Sequence, residues 1–162
     1  MSNTTTQPPR IGQHWPEQGG IYCGILAGRD DHPDCHLVMC PPEHEISGAI
    51  WGRYNQDVSG ATSYWDGLGN TKAMAEAGSQ MAIDILALHI DGHADWHLPS
   101  QAEAHLMAAN IKELMAKDWY WTSTQYSDDY AWNQYFYNGY QNNDYKGAKA
   151  RARAVRLIHL SA

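Results

Sequence analysis

The chain has 162 residues, 43% of them hydrophobic and 18% charged, with a formal net charge of −7. That length fits one domain with a core of ordinary size, whereas two domains would each be small and poorly buried. The acidic balance disfavours nucleic acid and anionic membrane as partners, because both demand clustered Lys and Arg, and no apolar run is long enough to span a bilayer.

Residues 1–18 contain Pro8, Pro9 and Pro16 and read as an extended lead-in or linker, with a single domain expected over 19–162. The segment from Met1 to Arg10 is polar and lacks the apolar core of a secretion signal, so synthesis in the cytoplasm is the expectation. A strand at about Gly20–Ala27 and a second at Cys35–Met39 flank a turn of Asp, His and Pro, and together predict a hairpin ended by Pro41 and Pro42. Residues 43–70, rich in Gly with Trp51 and Trp65 between, read as loop with short strand pieces.

Asn70 is placed to cap a helix running to about Leu88. Its apolar stripe recurs at Met74, Gly78, Met81, Ile85 and Leu88. Gly92 ends that pattern. Ser100 and Glu103 have capping-box spacing, which predicts a second helix from about Gln101 to Asn110, continuing with a break to Met115. From Trp119 the period changes to two. Trp119–Gln125, Ala131–Tyr137 and Ala150–Ile158 read as strands, with turns at Gly139 and Gly147. Helices followed by antiparallel strands make the class α+β.

The most informative span runs from Trp119 to Tyr145. It holds seven of the ten tyrosines, three of the seven tryptophans and the single Phe, interleaved with Asn and Asp and without Lys or Arg. A purely structural sheet would alternate Val and Ile with charged residues. Tyr with Asn, Ser and Gly is instead the palette of antibody combining sites, where rigid rings supply area and small amides supply adaptable hydrogen bonds. Trp121, Trp132 and Phe136 are assigned to the core. The outward set, a candidate ligand face within 119–146, is Tyr126, Asp128, Asp129, Tyr130, Asn133, Tyr135, Tyr137, Tyr140, Asn142 and Tyr145.

Two clusters offer metal-ligand chemistry. His89, His93 and His97 would share one face of an unbroken helix and could hold zinc, but Gly92 and the following Asp95-Trp96-His97-Leu98-Pro99 favour a loop. Cys35, His36, Cys40 and His44, with Cys23, match no familiar finger spacing, and an odd count of three cysteines argues against a disulfide scaffold. The basic tail of Lys146, Lys149, Arg151, Arg153 and Arg156 reads as a half-exposed strand pairing with the acidic remainder. The chain lacks nucleophile-elbow, phosphate-loop and His-Glu-x-x-His signatures, so no catalysis and no cofactor are expected.

Several residues together carry a resemblance. Asp95-Trp96-His97-Leu98-Pro99-Ser100 with Glu103, then Trp119-Tyr120-Trp121-Thr122-Ser123-Thr124, Ala131-Trp132, Asn138-Gly139, Asn142-Asn143 and Arg153-Ala154-Val155-Arg156 follow one another in order. The chain from about Trp65 to Leu160 thereby resembles the DUF1566 family, with His97 standing where that family usually has Arg. The resemblance implies a C-type-lectin-like fold, two helices packed on twisted antiparallel sheets. It implies a non-enzymatic ligand-binding domain of the kind found in bacterial adhesins, phage tail tips and retroelement-diversified variable proteins. The calcium triplet of sugar-binding lectins is absent. A cell-surface protein or glycan receptor, a homo-oligomer of trimer type by analogy with tail fibres, and a tail-associated or surface-exposed location are the expectations that follow. A metal-binding module or metalloenzyme built on His89, His93 and His97 and a structural assembly protein are the alternatives.

Overall fold

The structure, a computed structural model, describes residues 7–160. It is a mixed α+β protein of two sheets and three short helices. Residues 1–6 of the expected lead-in lie outside the described residues. The rest of that lead-in is not a free linker. β1 (His14–Trp15) pairs antiparallel with β2 (Gly20–Leu26), and the indole of Trp15 is buried. β2 pairs with β3 (Cys35–Met39), as the alternating apolar pattern requires. β4 (Ile46–Ala49) is one of the short strand pieces expected between 43 and 70.

The first predicted helix is two helices. α1 (Gly67–Glu76) starts earlier than expected, capped by Asp66, whose Oδ1 accepts from the Gly69 amide at 2.9 Å. α2 (Gln80–Leu86) is capped by Ser79. Gly78 sits between them at φ +93°, a left-handed conformation that ends α1 and re-aims the chain. The apolar stripe nevertheless reaches the core, since Met74, Met81 and Ile85 are all buried. Asn70, freed from capping, is fully buried and bonds the backbone of Ser63.

α3 (Gln101–Ile111) has the full capping box. Ser100 Oγ accepts from the Glu103 amide at 3.2 Å, and Glu103 Oε1 accepts from the Ser100 amide at 2.9 Å. A 3₁₀ turn at Lys112–Leu114 continues it. β5 (Trp119–Gln125) has its predicted bounds. β6 (Tyr130–Tyr135) begins and ends earlier than expected, so that Phe136 and Tyr137 enter the turn. β7 (Tyr140–Tyr145) was not anticipated: its amide-rich YQNNDY reads as turn by composition, yet it pairs in unbroken register with β6. The last predicted strand is also two. β8 (Ala150–Ala152) lies between β4 and β5, and β9 (Val155–His159) joins β3, so the chain crosses from one sheet to the other at Arg153–Ala154.

The sheets are ordered β1-β2-β3-β9 and β4-β8-β5-β6-β7. Two buried clusters hold them. Trp15, Trp51, Trp96 and Trp121 pack with Met74, Ile85 and Leu98 in one. Leu37, Met39, Tyr120 and Phe136 pack under Met107 and Ile111 of α3 in the other. α3 thus wedges against both sheets, and β7 is left as the outer edge.

Candidate functional site

The β6–β7 hairpin carries most of the predicted ligand face, and its register decides where each side chain goes. Tyr135 faces Tyr140, Asn133 faces Asn142, Trp132 faces Asn143, and Tyr130 faces Tyr145. Because successive strand residues point to opposite faces, the predicted set divides in two. Tyr130, Trp132 and Tyr145 lie on the face shared with Gln134 and Gln141; Gln141 donates to Gln134 Oε1 and bonds Gln101 at the start of α3. Asn133, Tyr135, Tyr140 and Asn142 lie on the other.

Each face gathers its own aromatic group. On the first, Tyr130 and Tyr145 have ring centroids 4.6 Å apart, Tyr126 packs edge-on to Trp132 at 5.0 Å, and Tyr54 joins Tyr145 at 5.9 Å. On the second, Trp119 stacks on Tyr135 at 4.7 Å and meets Tyr140 at 6.4 Å, while Tyr137 lies beside Tyr135 with the Lys117 ammonium over its ring. Tyr54, Tyr126, Tyr137, Tyr140 and Tyr145 are among the most exposed large side chains. Asp128 and Asn142 are exposed, and Asp129, Tyr130 and Tyr135 half-buried.

Two assignments change. Asn133 is 3% exposed, so it cannot present its amide to a partner. It sits in register between Trp121 and Asn142, in the middle of the sheet. Trp132, assigned to the core, is only half-buried, packed edge-on against the exposed Tyr126. Trp121 and Phe136 are buried as expected.

Lys146 ties the first group to the body. Its side chain is fully buried; Nζ donates to Gln56 O at 2.6 Å and Gln125 Oε1 at 2.7 Å, and lies 4.8 Å from the Trp51 ring centre. Burial pulls the ammonium pKa down, against the opposing pull of Asp128, Asp57 and Asp129. The Trp51 amide donates to Lys146 O, so the 51–56 segment bearing Tyr54 is clamped onto the end of β7. The arginines of the basic tail pair with acids as expected, but the tail is not the half-exposed strand predicted, since Lys146, Arg153 and Arg156 are buried. Arg151 bonds Glu45 and Asp118, Arg153 bonds Cys40 O and Glu45, and Arg156 grips Asp95 through two nitrogens.

The three histidines are not brought together, and no group of three metal-capable side chains forms among the described residues. His89 is exposed. His93 Nε2 bonds Glu17 O at 2.9 Å. His97 is buried and pairs through Nε2 with Glu103 Oε2 at 2.9 Å. The loop at Asp91–Gly92, both with positive φ, is what separates them. The cysteines are likewise three free, buried thiols.

One feature has no signal in the linear sequence. A cleft of about 380 Å³ opens between the end of the β2–β3 hairpin and the start of α1, and includes His97 in its lining.

The family model described as the Lcl C-terminal domain matches residues 43–156. The match thus starts well before Trp65 and takes in β4 and the Trp51 clamp. No curated protein matches the chain.

Proposed function

Because the chain belongs to the Lcl C-terminal domain family, a DUF1566-related family found in bacterial proteins, we propose that it is a non-enzymatic receptor-binding domain. The observation that carries this reading is the exposed aromatic hairpin. Tyr126 is 54% exposed, Tyr140 57% and Tyr145 49%, on a sheet edge with no Lys or Arg from Trp119 to Tyr145. A monomeric surface rarely leaves rings so concentrated without a partner. Tyr supplies contact area at low entropic cost, and neighbouring Asn and Asp supply orientation.

In this proposal the binding residues are Tyr126, Asp128, Asp129, Tyr130, Tyr135, Tyr137, Tyr140, Asn142 and Tyr145, joined by Tyr54, and the receptor is a cell-surface protein or glycan. A lectin-like topology, assembly as a trimer and location at a phage or prophage tail tip belong to the same proposal. So does diversification by a retroelement, which would leave a reverse transcriptase and a near-copy of the coding region for about Tyr120–Lys146 in the neighbouring DNA.

The test uses labelled protein on intact bacterial cells and on a glycan array. Alanine at Tyr135, Tyr137 and Tyr140 together, or at Tyr54, Tyr126 and Tyr145 together, should abolish binding according to which face of the hairpin meets the receptor, with the circular dichroism unchanged. Full binding by both triple variants would overturn the proposal. Light scattering that finds only monomer at high concentration would overturn the trimer.

A further inference from the structure

The cleft beside α1 is built unlike the hairpin surface. Leu26 and Pro33 from the first hairpin, Leu68 from α1 and Leu157 from β9 form its apolar walls. The Arg29 guanidinium lies over the Trp65 ring within the same lining. His97, 2% exposed, contributes to the lining from inside. Its Nε2 is committed to Glu103, while Nδ1 makes no sound hydrogen bond, the Asp95 backbone being the nearby acceptor. A buried polar atom left without a proper partner is uncommon and costly.

The charges around the cleft sort in one direction. Asp95 is held by Arg156, and Asp66 accepts from the Gly69 amide at the start of α1. Glu103 is engaged by His97 and by the Ser100 amide. Arg29 makes no ion pair among the described residues. The lining acids are therefore satisfied, and a cation with donors to spare remains. The volume falls within the range of small-ligand pockets, roughly 300–1,000 Å³.

We propose that this cleft binds a small monocarboxylate with a planar apolar body, its ring between Leu68, Leu157 and Trp65 and its carboxylate toward Arg29. The site is separate from the aromatic hairpin, and its occupancy does not depend on the receptor reading.

Phenylacetate is the probe. The ¹⁵N-labelled chain is titrated while the Trp65 indole N–H, identified with Trp65→Phe, is followed by NMR. Phenylacetate should move that resonance saturably, and benzylamine should not. Leu68→Trp, which fills the cleft, should remove the response. Arg29→Gln, an exposed position that does not endanger folding, should weaken it roughly tenfold through loss of a charge-assisted contact. No saturable shift, an equal response to benzylamine, or undiminished binding by Arg29→Gln would each overturn the assignment.

Discussion

Nε2 of His97 lies 2.9 Å from Oε2 of Glu103, with both side chains almost wholly shielded from water. The same carboxylate completes the α3 capping box through its other oxygen. One buried group therefore fixes the start of α3, the loop that precedes it and an imidazole in the lining of the cleft. Burial alone would lower the His97 pKa; the charge and hydrogen bond of Glu103 overcome this and leave it raised.

That shift has a signed consequence. A histidine whose folded pKa exceeds its unfolded value of 6.5 adds stability that is complete below 6.5 and lost as pH rises through the folded value. Urea unfolding of the wild type, compared with His97→Gln at each pH, should show the stability owed to this pair falling as pH rises above 6.5, while His36 and His105, whose pKa values burial lowers, contribute in the opposite sense in both proteins. His97→Gln should remove that dependence and cost about 3–5 kcal/mol at the acidic end, since Glu103 is left buried without its cation. A pH slope unchanged in His97→Gln would rule this out.

Gly67 is packed against this pair. A Cβ there would press on Glu103 Oε1 and on the His97 ring, with the Leu98 carbonyl beside them. Gly67→Ala should destabilise by roughly 2 kcal/mol or more through overpacking. Combined with His97→Gln, the two losses should be less than additive, because the clash and the pair share atoms. Denaturation midpoints of the four proteins in the cycle check this.

Lys146→Met is expected to keep the fold and loosen the clamp. The methionine removes a buried charge but leaves Gln56 O without its donor and Gln125 Oε1 with the Val58 amide alone, a cost of about 1–3 kcal/mol. Hydrogen exchange should quicken at the Trp51 amide, which donates to Lys146 O, more than at the amides of β3. Equal protection at both sites would show that Lys146 does not hold this segment.

The thiols should be chemically silent in the native state. Burial pushes the Cys23 thiol up to about 12 and raises Cys40 as well. In a Cys35→Ser background, a disulfide reagent at pH about 8 should label neither residue until denaturant is added. Prompt labelling of the folded protein would contradict that burial.

Some of this was legible in the residues. Cys35–Met39 and Trp119–Gln125 are apolar and β-branched or aromatic enough to be strands in any arrangement, and the Ser100–Glu103 spacing announces α3 by local chemistry. The stripe holds at Met74, Met81 and Ile85, which are buried, and fails at Gly78, which is exposed and turns the axis between two helices, and at Leu88, which is half-buried. β7 was hidden because its Gln, Asn and Asp are weak strand formers, held in place by six register pairs with β6.

The sequence by itself determined that this is an α+β protein, that Ser100 caps α3, that the arginines of the basic tail pair with acids, and that aromatic rings concentrate after Trp119. These are matters of composition and near-neighbour spacing. Only the tertiary structure decided that the rings form two groups on opposite faces, that Asn133 is covered while Trp132 is not, that His97 serves Glu103 instead of its fellow histidines, and that a cleft lies beside α1. Strand parity follows from register, and the cleft from segments as distant as Leu26 and His159. Both are set by which strands pair across long loops, a choice made by the whole core at once and written in no single stretch of chain.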